Sequence, residues 1–190
     1  MSRPAVLVGL DAERASLKAN HFTAAKVCGN AGRLPFPDGA FDLVTANMVV
    51  EHLEDPDSQF REIRRVLSDG GRFVFHTPNA EGYFVRLRRL VPARLAVRLA
   101  WILERRKEDD VFPVHYRANT ANALGRVSSA SGFEIEKLDL IRAEAILFMV
   151  PPLFLPELLW IRALGSERLA RFRPNLIAVL RAATPAATSP

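Results

Sequence analysis

Short apolar runs bounded by turn residues alternate with segments of helical period along the first half of the chain. This alternation constrains the fold more than any other feature of the sequence. Residues 5–10, from Ala5 to Leu10, read as a strand buried on both faces and ended by Asp11. Residues 12–20 read as a helix, 25–28 as a second short strand and 41–46 as a third. Between them, Leu34, Pro35, Phe36, Pro37, Asp38 and Gly39 are turn chemistry. Asp55 then offers an N-cap and Pro56 suits the first helical position. Phe60, Ile63 and Leu67 recur at helical spacing, so the reading turns them to the core. Gly70 and Gly71 are expected to stop this helix before a fourth strand over residues 72–76. Strands alternating with helices imply a doubly wound, mostly parallel sheet with helices on its faces.

The second half changes character. Residues 83–107 form a basic helical stretch, with Pro92 expected to divide it. Asn119 or Thr120 caps a helix carrying Ala121, Leu124 and Val127, Gly132 ends it, and residues 133–141 alternate as a strand. Residues 145–161 are apolar but interrupted by Pro151, Pro152 and Pro156. Residues 175–180 read as a last strand. The expectation is one domain over residues 1–182, with helical cap segments at about 81–117 and 143–170 and a disordered tail over 183–190.

Composition limits the function classes. The chain has 190 residues, enough for one core, with 49% hydrophobic and 25% charged residues, as in a soluble globular protein. A net charge of +5 favours an anionic partner without choosing one. The single cysteine, Cys28, excludes an internal disulfide and a cysteine-based metal site, so a reducing, cytoplasmic setting and no metal are expected. The first apolar run is too short for a signal-peptide core, and no stretch reaches the roughly 18–20 apolar residues of a spanning helix.

The most specific signal is a series of blocks in fixed order. Residues 34–44, from Leu34 to Val44, are followed by 47–56, from Asn47 to Pro56. Residues 61–67, Gly70-Gly71-Arg72 and Thr77-Pro78-Asn79 come next. Together they resemble the middle of the class I S-adenosylmethionine-dependent methyltransferases of the quinone- and lipid-modifying type. The resemblance runs from about residue 6 to residue 141. It implies a Rossmann-like methyltransferase fold, S-adenosylmethionine as cofactor, and methyl transfer to a small or lipid-like acceptor.

The same resemblance implies site residues. Asp11 matches the acidic residue that holds the ribose hydroxyls, since a carboxylate accepts two bonds from a vicinal diol; Ala12 follows it. The alternative for Asp11 is a plain cap of the next helix. Asn30 and Ala31 match the adenine-contacting pair, although aspartate is usual where Asn30 stands, and a turn asparagine serves as well. Asn47 and Met48 match positions beside the cofactor's methionine end. Glu51 and His52 face the acceptor cleft, with His52 either a general base or a structural histidine. His115 and Tyr116 also fall beside the cleft.

Two features depart from the family. The strand and glycine-rich loop that open its site are missing, and Gly9 stands alone. The resemblance therefore implies an N-terminally incomplete fold: either residues upstream encode that strand and loop, or the chain is a silent remnant or binding module. On this reading the 190-residue chain binds the cofactor weakly or not at all. A nicotinamide-dependent oxidoreductase also suits an acid ending the second strand, but the 34–44 and 51–56 blocks argue against it. The basic and apolar late segments suggest peripheral membrane contact. Few aromatics interleave with the arginines, so nucleic acid is not expected.

Overall fold

In the computed structural model, residues 6–90, 113–142 and 151–184 are described. Their strands form two sheets. The smaller pairs β1 (Val8–Asp11) with β2 (Ala25–Cys28) in parallel, Val8 opposite Ala25 and Asp11 opposite Cys28. The short helix α1 (Arg14–Ala19) joins them and buries Leu17. The larger sheet has the order β3-β4-β6-β5. In it β3 (Phe41–Asn47) runs parallel to β4 (Leu67–Pro78), while β6 (Asn175–Ala182) is antiparallel to both β4 and β5 (Phe133–Ile141). Strand pairs joined through helices give the Rossmann-like α/β fold expected from the sequence, with one antiparallel strand, β6, inserted between β4 and the edge strand β5.

Among the described residues, β1 and β3 each have a strand partner on one edge only. The first strand begins at Val8 rather than Ala5: the β2 ladder reaches no further than Ala25 opposite Val8, so Val6 and Leu7 lack partners and are exposed. Its residues are half-buried rather than enclosed on both faces. Ala5 itself lies outside the described residues.

One face of the larger sheet carries the core. Helix α2 (Pro56–Val66) starts where Asp55 accepts a hydrogen bond from the Ser58 backbone N–H at 3.3 Å, and Pro56 occupies the first turn. It buries Phe60 and Ile63 against Phe73, Phe75 and Phe133. Helix α4, numbered after α3 (Tyr83–Leu90), spans Ala121–Ala130 and adds Leu124 and Val127. Its cap is Thr120, whose hydroxyl accepts from the Ala123 N–H; Asn119 is used elsewhere. Leu67 is not helical, contrary to the periodicity. It leaves α2 in an extended conformation and opens β4 opposite Phe41, so its side chain reaches the same core from a strand. Gly70 takes a positive φ within β4 instead of ending the helix.

The prolines expected to break the late apolar segment do not. Residues 151–163 form helix α5 (Pro151–Ala163). Pro151 and Pro152 sit in the first turn, where the N–H has no helical partner, and Pro156 removes a single i→i−4 bond. The last strand runs on to Ala182, and Ala183 beyond it is still tied, donating to Gly132 O and accepting from Arg64. The expectations for residues 91–107, 145–150 and 185–190 lie outside the described residues.

Candidate active site

The residues singled out in the sequence collect at the carboxyl ends of the parallel strands. Asp11 closes β1, and its Oδ1 accepts from the Glu13 N–H at 2.8 Å. It fastens the strand-to-helix turn, while Glu13 holds the helix N-cap position without a side-chain capping bond to the backbone, its carboxylate accepting instead from the Ser16 hydroxyl at 3.4 Å. A carboxylate has about four acceptor directions, so this one contact leaves capacity for a diol. Ala12 is exposed and its carbonyl faces the Cys28 thiol at 3.5 Å. Asn30 follows β2, and its Oδ1 accepts from the Gly32 N–H at 2.9 Å, which is the turn role its residue type favours. Ala31 packs against the main core.

The turn after Asn30 is clamped to α2 by one guanidinium. Arg65 donates to the carbonyls of Leu34 (3.1 Å) and Phe36 (2.9 Å) and to the carboxylates of Asp38 (2.5 Å) and Glu62 (2.8 and 2.9 Å). Glu62 in turn accepts from the Leu34 N–H at 2.7 Å. The hydrogen bonds from Arg65 hold the Glu62 carboxyl below the usual carboxylate range. The Leu34–Gly39 block therefore has a physical reason: its backbone is written to be read by Arg65.

At the end of β3, Asn47 Oδ1 meets His76 Nδ1 at 2.9 Å. Met48 takes a left-handed φ of 54° and donates its N–H to the His76 carbonyl. This turn leads into a 3-10 turn, Val50–His52, that drives Glu51 inward. The Glu51 carboxylate is 3% exposed and accepts from the Thr77 hydroxyl at 2.8 Å. Thr77 Oγ1 in turn accepts from Asn119 Nδ2 at 2.6 Å. Asn119 Oδ1 is buried with no hydrogen-bond partner among the described residues.

His52 lies at the mouth of this network. Its Nδ1 is 2.8 Å from the Pro113 carbonyl, which can only accept, so Nδ1 carries the proton of the neutral ring. Nε2 then holds the lone pair, 3.9 Å from Glu51 Oε1. The backbone N–H groups of His115 and Tyr116 both donate to the Glu51 carbonyl, at 2.7 and 3.2 Å. Tyr116 has a φ of 53°, and burial pushes its phenol above the ordinary range, against the pull of Arg88.

The structure thus gathers Asp11, Ala12, Asn30 and Ala31 around the ends of β1 and β2. It gathers Asn47, Met48, Glu51, His52, His115 and Tyr116 around the ends of β3 and β4. Sequence reasoning missed Thr77, His76 and Asn119 as members of the second group. Thr77 stood within a motif and Asn119 beside a helix start, but nothing local shows that they meet.

Comparisons with known proteins agree on the fold, and part of the chain is similar to a methyltransferase family. The family described as "Methyltransferase domain" matches residues 2–75. A demethylmenaquinone methyltransferase of Mycolicibacterium vanbaalenii is 43% identical over 75 residues, 36% of this chain and 33% of that protein. A probable S-adenosylmethionine-dependent methyltransferase of Mycolicibacterium smegmatis is 29% identical over 133 residues, 68% of this chain and 44% of the relative. The chain thus spans between a third and under half of the length of these relatives. Among solved structures, an S-adenosylmethionine-dependent methyltransferase from Mesorhizobium loti superposes with a TM-score of 0.57 at 21% identity, covering 93% of this chain and 80% of its own. The geranyl diphosphate C-methyltransferase of Streptomyces coelicolor, crystallised with S-adenosyl-L-homocysteine, gives 0.52 at 16% identity, covering 92% and 63%. The chain is thus similar to S-adenosylmethionine-dependent methyltransferases over residues 2–75 and shares the Rossmann-like fold of solved members of that class.

Proposed function

We propose that the chain carries the ribose, adenine and acceptor sides of a site that transfers a methyl group from S-adenosylmethionine to a small or lipid-like acceptor. The observation that carries this reading is the position of Asp11, at the carboxyl end of a parallel strand, beside the end of β2 from which Asn30 follows. Those residues fit the cofactor's nucleoside: Asp11 keeps acceptor capacity for the ribose hydroxyls, and Asn30 and Ala31 stand where the adenine would rest. Asn47 and Met48 would border its methionine end. S-adenosylmethionine, when bound, supplies a methyl group already activated on a sulfonium.

The protein's part is then positioning, which can account for much of the rate. His52 is the group suited to take a proton from an acceptor hydroxyl or amine, because Pro113 fixes Nε2 as its basic atom. The lipid-like acceptor draws support from the demethylmenaquinone and geranyl diphosphate enzymes among the similar proteins.

A second reading has its own observation. Among the described residues no strand joins β1 to β3, so the two halves of the site stand on separate sheets. A catalytically silent methyltransferase fold that serves as a binding module fits that arrangement. Equilibrium dialysis of the chain against radiolabelled S-adenosylmethionine tests the first. Saturable binding that Asp11→Ala weakens about tenfold, the worth of one charge-assisted bond, supports the first reading. No saturable binding at millimolar ligand is the outcome of the second reading and also of a cofactor site left incomplete without its glycine-rich strand, and binding indifferent to Asp11→Ala removes Asp11 from the site.

A further inference from the structure

Helix α5 is built inside out. Its one acidic residue, Glu157, is 6% exposed and accepts a hydrogen bond from the Tyr83 hydroxyl at 3.1 Å. Leu164, seven positions on and so on the same side, is fully buried. The opposite ridge is apolar and open: Leu155 is 63% exposed and Leu159, one turn on, 61%. Leu153, Phe154, Leu158 and Trp160 are exposed beside them. Apolar surface in water costs about 25 cal/mol per Å², and contiguous apolar patches on a protein surface mark an interaction site.

The rim of this ridge identifies the occupant. Trp160 meets the Tyr83 ring edge-on at 6.5 Å and lies 6.3 Å from Phe172. The guanidiniums of Arg86 and Arg171 sit over Phe172 at 5.2 and 4.7 Å. Arg88, Arg89, Arg162 and Arg168 are exposed on the same elements. Among the described residues, the acids of α5 and of the segment after it are engaged, Glu157 by Tyr83 and Glu167 by Arg173 at 2.7 Å. Leucines flanked by amphipathic aromatics and then by arginines match the layers of a bilayer surface: acyl boundary, headgroup level and phosphate. A second copy of the chain fits less well, because a symmetric contact would bring like-charged rims together. At 13 residues, α5 is about 20 Å long, too short to cross roughly 30 Å of hydrocarbon, so it would lie in the surface plane.

We propose that α5, with the arginine rim on α3 and on residues 162–171, is a peripheral docking surface for an anionic lipid bilayer, with Leu155 and Leu159 entering the acyl boundary. This holds for a silent fold as well as for an enzyme, so failure to bind S-adenosylmethionine would leave it standing, and loss of vesicle binding would leave the cofactor reading standing.

The test is flotation of the full chain with phosphatidylcholine vesicles, with and without phosphatidylglycerol, at low and high salt. Binding is expected only with phosphatidylglycerol, and weaker at high salt. The double variant Leu155→Glu, Leu159→Glu should lower partitioning about tenfold or more, with an unchanged circular dichroism spectrum, since both side chains lie in solvent. Arg88→Glu with Arg89→Glu should reduce binding and its salt dependence together. In a Trp101→Phe background, Trp160 emission should shift to the blue on vesicles. The proposal is overturned if phosphatidylglycerol vesicles leave the protein unbound at low salt, or if the leucine variant binds like the parent. It is also overturned if the chain is a dimer that the leucine variant dissociates, which assigns the ridge to a second copy.

Discussion

The hydroxyl of Thr77 donates to the Glu51 carboxylate across 2.8 Å, with Thr77 fully buried and Glu51 nearly so. The same oxygen accepts from Asn119 at 2.6 Å. One hydroxyl thus joins the ends of β3 and β4 to the segment entering α4, behind the ring of His52. Thr77→Val keeps the shape but leaves a buried carboxylate oxygen without its donor. It should destabilise the protein by about 2–4 kcal/mol, while Thr77→Ser restores most of that. Urea denaturation of the three proteins checks this; equal midpoints for the valine variant and the parent would refute the network's role.

Glu62 predicts an acid-sensitive component of stability. Its folded carboxyl titrates below the ordinary glutamate value of about 4.5, chiefly because Arg65 donates to it. A depressed folded value means that the contribution is complete above the unfolded value and is lost as pH falls through the folded one. Stability measured from neutral to acidic pH should therefore fall less steeply below about 4.5 in Glu62→Gln than in the parent. Parallel curves for the two proteins would show that the clamp is not felt in solution.

Gly82 is held between backbones. A Cβ there would come within 2.7 Å of Pro174 Cα and 2.9 Å of the Asn79 carbonyl, neither of which is a flexible side-chain end. Gly82→Ala should cost about 1–3 kcal/mol by forcing the turn before α3 away from the start of β6. Gly125 has open space where its Cβ would be, so Gly125→Ala should stabilise α4 by up to about 1 kcal/mol. Thermal denaturation should move in opposite directions for the two variants, and a common direction would contradict the packing described.

Phe60 is fully buried and meets Phe73, Phe75 and Phe133 edge-on, at 5.5, 6.0 and 6.3 Å. Phe60→Ala removes the ring that joins α2 to the sheet and should cost about 3–5 kcal/mol. Phe60→Leu should cost clearly less. Denaturant midpoints that rank these two variants the other way would place the centre of the core elsewhere.

The sequence alone determined what depends on neighbours in the chain. The Asp55 cap, the proline after it, the period of Phe60 and Ile63 and the alternation of residues 133–141 are local signals, and each marks an element close to its place. The ordered blocks that resemble the methyltransferases likewise carried the fold, because those blocks form its turns and strand ends. Tertiary structure decided what distant residues do to one another. Thr77 and Glu51 are 26 positions apart, Asn119 and Thr77 are 42 apart, and Tyr83 and Glu157 are 74 apart. No periodicity encodes such pairs, since burial of a carboxylate depends on whether a donor from elsewhere arrives to satisfy it. The same reason explains α5: its sequence reads as a broken apolar segment. The Tyr83 hydroxyl, from 74 positions away, meets Glu157 on its buried side, and the leucines of the opposite ridge are left outside.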